Sequence, residues 1–202
     1  MSLVAISGNA SGTGTLTIAA PNTNSNRTLN LPDGSGTFTV NGVNSNIVSG
    51  TAVASTSGTS IDFTSIPSWV KRITVMFASV STNGSSHIRF QLGTSGGVES
   101  SGYLGWCAQM GNAWSGASTS SSGFDSYGDA GAAFVRSGHL VFVTLGSNVW
   151  TLVGSYTLST ANNFAYFFNG AKTLSGTLDR VRVTTVNGTD TFDAGSINIL
   201  YE

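Results

Sequence analysis

Charge is scarce in this chain. Only 8% of its 202 residues are Asp, Glu, Lys or Arg, and the formal net charge is −1. A soluble domain ordinarily carries about 25%. Affinity for phosphate backbones needs a basic face, so nucleic acid is not an expected partner. Cys107 is the one cysteine. It excludes an internal disulfide and a cysteine-rich zinc site, and fits folding in a reducing cytoplasm. No apolar run approaches the ~20 residues of a membrane helix, so no membrane insertion is expected. Met1–Ile6 lacks the basic start and long apolar stretch of a secretory signal. Helix formers other than Ala are scarce, which argues against a helical bundle.

Ser, Thr, Asn and Gly instead supply close to half the chain, and aromatics a further 10%. Disorder does not fit, because the β-branched and aromatic residues fall in ordered alternation. Thr13–Ile18, Arg27–Leu31 and Gly36–Val40 each alternate, pointing Leu16, Ile18, Leu29, Leu31, Phe38 and Val40 to one side. Period-two alternation is the mark of a half-buried strand. Turn-rich segments separate the three runs. Three such short strands bury little alone and need a partner surface.

Residues 41–58 hold no charge and no aromatic, and 46–58 are expected to be a linker. From 59 onward the strands lengthen: 60–63, 70–80, 87–92, 140–145, 149–156, 178–186 and 196–201. The nearly continuous apolar run at 140–145 predicts a central strand covered on both faces. Seven or eight strands joined by Gly, Ser and Asn turns predict an antiparallel sandwich or jelly roll. The expected organisation is all-β. A three-stranded anchoring unit spans 1–45, a linker 46–58, and a jelly-roll-like sandwich 59–202.

Residues 93–131 break the rhythm. A strand at 102–108 is expected there, with long loops around it. Tyr103, Trp106, Trp114, Phe124 and Tyr127 fall in this stretch and form the candidate ligand-binding set. Flat aromatics beside neutral donors and acceptors suit a saccharide, which offers apolar faces and hydroxyls together. The competing expectation is that Trp106 and Trp114 plug the core or pack between subunits. Trp69 and Trp150 are expected in the core.

Little supports catalysis. His87 and His139 stand at strand starts, no serine elbow precedes a helix, and phosphate-loop motifs have no helix to open. Asp125 and Asp129 lie four apart in a glycine-rich loop, without calcium-hand spacing, and are expected to be exposed turn residues. No metal, cofactor or catalytic residue is expected. A neutral, hydroxyl-rich surface suits packing against copies of itself, and a symmetric oligomer is expected.

Gly14–Phe38 resembles a module of tailed-bacteriophage structural proteins, found in tail fibres and head-decorating proteins. Asp179–Glu202 and Ser65–Phe77 resemble the C-terminal β-domain of phage fibre-like proteins. The resemblance implies a homotrimer on the virion, assembled in the host cytoplasm. Its N-terminal domain would dock on the major capsid protein or a tail component, with Leu16, Ile18, Arg27, Leu29, Leu31 and Phe38 as candidate docking residues. Its C-terminal domain would project. A capsid decoration protein or head fibre is the first expectation. A short tail fibre whose C-terminal domain binds host surface glycan is the alternative.

Overall fold

The computed structural model describes residues 11–13, 24–25, 47–111, 115–132, 134–159 and 164–202. The chain divides into two compact units, Met1–Gly42 and Val43–Glu202. The three N-terminal strands expected from the pattern, and all six candidate docking residues, lie outside the described residues.

The second unit is all-β, with no helix among the described residues. Two antiparallel sheets make it. The smaller has five strands: β3 (Ser60–Phe63), β13 (Arg180–Thr185), β5 (Ile88–Thr94) and β6 (Gly97–Val98) in that order, with β9 (Phe124–Asp125) also on β5. The larger has nine. Its order is β1 (Val48–Ser49), β14 (Phe192–Tyr201), β4 (Arg72–Thr82), β10 (Val135–Gly146), β11 (Val149–Ser159), β12 (Ala165–Thr173), β7 (Tyr103–Met110) and β8 (Ser115–Ser120). β2 (Val53–Ala54) pairs with β14 as well.

Alternation explains the packing. In β4, Ile73, Val75 and Phe77 turn inward, and in β5, Ile88, Phe90 and Leu92 do the same. Rings from the two sheets meet between them: Phe77 and Phe90 lie 5.8 Å apart, Phe90 and Phe168 5.9 Å, and Phe124 and Phe142 5.8 Å. Each such side chain, fully buried, contributes about 1.5–3 kcal/mol. The second unit is therefore a β-sandwich with an aromatic-rich core. The hairpin between β10 and β11 turns on Ser147 and Asn148, both at positive φ (49° and 61°). That geometry matches the twist of paired strands.

Three expectations need correction. Within the expected 46–58 linker, the described residues 47–58 are not free chain, since β1 and β2 pair with β14 at the edge of the larger sheet. Their own sequence is too short and polar to announce strands; the open edge of β14 makes them. The 140–145 run is central but covered on one face only. Leu140 and Phe142 are buried, whereas Val143 and Leu145 face outward. The third correction is β8, whose Ser-Gly-Ala-Ser-Thr-Ser has no strand signal, yet pairs with β7 from Gly105–Ser120 to Met110–Ser115.

Candidate functional site

β7 is the strand that separates core from surface. Tyr103, Gly105, Cys107 and Gln109 point inward; Leu104, Trp106 and Met110 point outward. Both sets contain large apolar side chains. The inward set is fixed by what lies beneath it. A Cβ at Gly105 would sit 2.6 Å from the Gly123 carbonyl, and one at Gly170 would sit 2.6 Å from the Phe124 ring. Gly170 leaves the space that the Phe124 ring fills, and Gly105 lets the Gly123–Phe124 backbone approach.

Tyr103 and Phe124, expected among the ligand-facing aromatics, are thus core residues, 2% and 1% exposed. Their rings meet edge-on at 5.0 Å. The Tyr103 hydroxyl accepts from the Leu92 amide at 2.8 Å and donates to the Glu99 carbonyl at 2.9 Å. Burial pushes its ionisation up to about 12. Cys107, four residues further along the same inward face, is pushed up to about 12 for the same reason, so its thiol stays protonated at neutral pH. Tyr127 is half-buried and packs against the core. Trp114 lies outside the described residues. Trp150 is in the core as expected, but Trp69 is 50% exposed, packing on Tyr201 at 5.9 Å.

Trp106 alone of the five is described as open, at 40% exposure. Its cross-strand neighbours are Asn169 on β12 and Thr119 on β8. Beside it lies a hollow of ≈ 520 Å³, lined by Tyr103, Leu104, Gly105, Trp106 and Thr119–Ser121. Leu104, 77% exposed, forms its other apolar shoulder. Around it Met110, Phe167 and Val153 also face outward. From β10 to β8 the outward side chains carry no ionisable group except His139.

The charged groups are turned to structural use. Asp129 is fully buried, not the exposed turn residue expected. Its carboxylate accepts from Arg136 Nε at 2.7 Å, Tyr156 at 2.6 Å and Ser126, and lies 2.8 Å from His87 Nδ1. Burial alone would raise the carboxyl; the His87 bond, the Arg136 charge, and the Ser126 and Tyr156 bonds outweigh it and hold it below the usual range. The sequence hid this because, Ser126 apart, the partners come from β10, β11 and the residue before β5. Asp125 pairs with Arg89 at 2.7 Å, Asp62 with Arg182 at 2.6 Å and Asp179 with Arg180 at 2.9 Å. Glu99 pairs with Lys172 and Glu202 with Arg72, each at 2.5 Å. Asp190 accepts from the Ser86 amide at 2.8 Å, and Asp193 from Ser81. Among the described residues no group of His, Cys, Asp and Glu could hold a metal ion.

Leu104, Met110, Thr119, Ser121 and Asn169 join Trp106 at the surface and were not singled out by sequence. The one signal that could have found Leu104 and Met110 is their even spacing from Trp106 along a strand. No protein-family model, curated protein or solved structure matches this chain.

Proposed function

We propose that the chain is a non-enzymatic structural protein of a tailed-bacteriophage particle, a trimeric decoration or fibre protein. In this reading the N-terminal unit docks on the major capsid protein or a tail component, and the sandwich projects. The observation that carries it is the division of labour in the sandwich. Every described carboxylate is engaged by a cation, amide or hydroxyl within the fold, while the broad face from β10 to β8 is neutral and partly apolar. Acid–base chemistry needs a poised group facing a substrate. A display scaffold needs stable strands and a surface whose contacts salt does not screen. The resemblance of Gly14–Phe38 and Asp179–Glu202 to phage modules supplies the setting.

Two measurements test this. Sedimentation of the full chain should give three times the 20.7 kDa chain mass; a monomer at micromolar concentration contradicts the trimer. Gold-labelled antibody on purified particles should mark the head for decoration or the tail for a fibre. Unlabelled particles, in a culture that makes the protein, overturn the reading altogether.

A further inference from the structure

We infer that the hollow beside Trp106 is a binding site for a neutral saccharide chain. The inference rests on the groove itself and not on where the protein is carried. Its volume, ≈ 520 Å³, falls within the roughly 300–1,000 Å³ of small-molecule sites. One flank is the exposed Trp106 ring with Leu104 beside it. Thr119, the cross-strand neighbour of Trp106, lines the hollow together with Ser120 and Ser121. Trp106 Nε1, Thr119 Oγ1, Ser121 Oγ and the Asn169 amide next in register have no hydrogen-bond partner among the described residues.

A pyranose ring has an apolar face of C–H groups and a rim of hydroxyls. The flat indole fits the first and the free hydroxyls and amide fit the second. An apolar partner would cover these polar groups without bonding them, which costs about 1–3 kcal/mol for each group buried unpaired. An anionic saccharide lacks a cation to meet it. Lys172 is turned inward to Glu99 and Arg89 to Asp125. Ser120, on the hollow's wall, donates to the Asp125 carboxylate at 2.7 Å, whose charge Arg89 balances, so the pair brings no net positive charge to the hollow. Indole stacking with neutral hydrogen bonding is also insensitive to salt.

The test is a multivalent array of neutral and acidic glycans, probed with the full chain clustered on beads. Binding should be confined to neutral glycans and unchanged in 0.5 M NaCl. Trp106→Ala should weaken it about tenfold or more, the size expected for truncating a buried aromatic anchor. Trp106→Phe should recover most of the loss, and Trp69→Ala should change nothing. A blank array overturns the inference, as does binding confined to acidic glycans. So does a Trp106→Ala protein that is folded by circular dichroism and binds like the parent. If Trp106→Ala changes sedimentation and not glycan binding, the hollow is a contact between copies of the chain, and the saccharide site is rejected.

Discussion

Tyr103 and Trp106 sit three residues apart on one strand and meet opposite environments. Tyr103 lies inside, its hydroxyl bonded to the backbone of Leu92 and Glu99. Trp106 lies outside, beside neutral hydroxyls. The inner group, with Phe124 and Asp129, is held by partners from several strands. The outer group, with Leu104 and Met110, faces outward, and the Trp106 indole has no hydrogen-bond partner among the described residues. The contrast separates residues that maintain the sandwich from residues free to meet something else, and substitutions should sort along the same line.

Asp129→Asn should have the largest effect. It leaves the Arg136 guanidinium, 1% exposed, without its counter-charge. Breaking a buried pair in this way costs about 3–5 kcal/mol, readable as a fall in urea midpoint. The acid limb sharpens the point. The folded Asp129 carboxyl is held below its ordinary value, near 3.9 in an unfolded chain. Its stabilisation is therefore complete above that value and is lost as pH falls through the lower folded one. The Asn variant should show a shallower loss of stability with acid. An unchanged acid profile would mean that Asp129 does not govern it.

Phe124→Ala comes next, at about 3 kcal/mol, the low end for a buried aromatic, since a two-residue strand can settle partly into the space. Tyr103→Phe removes one hydroxyl and strands the Leu92 amide and the Glu99 carbonyl, while the Leu92 carbonyl keeps the Glu99 amide, for about 1–3 kcal/mol. The parent should also lose stability in alkali. A phenol whose folded ionisation is pushed up to about 12, against about 10 unfolded, stabilises fully below the unfolded value. That contribution disappears as pH rises through the folded one. Tyr103→Phe should flatten that alkaline limb; an identical limb in both proteins would assign it to other groups.

The same contrast marks what the sequence could show. β4, β5, β11, β13 and the second half of β14 announce themselves, because the buried parity is apolar and the other is richer in polar residues. β7 is legible as the strand expected at 102–108, but its buried side is not, because Tyr103 and Cys107 on one parity face Leu104, Trp106 and Met110 on the other. The paired glycines Gly105 and Gly170 decide the parity, and their meeting is long-range. β8 and the β1–β2 edge carry no apolar pattern of their own and exist as strands through their neighbours. Asp129 reads as a loop aspartate in a row of Gly and Ser. Its burial depends on Arg136, Tyr156 and His87 arriving from elsewhere in the chain. The sandwich was legible wherever burial is local, and the site was obscured wherever packing is decided across the fold.

Trp106→Ala should have the smallest effect on stability. The indole is outside the core, and surface substitutions of this kind usually stay within about 0.5 kcal/mol. Phe124→Ala, another aromatic truncation from the same stretch, is expected to cost several times more. The ratio of the two is a cleaner measurement than either alone, because both remove one large ring and are read by the same urea titration. A Trp106→Ala loss close to that of Phe124→Ala would place the indole in a packing role, against its 40% exposure. A loss near zero leaves Trp106 as a large apolar ring held in water with no return in folding, which is the physical condition of a contact residue.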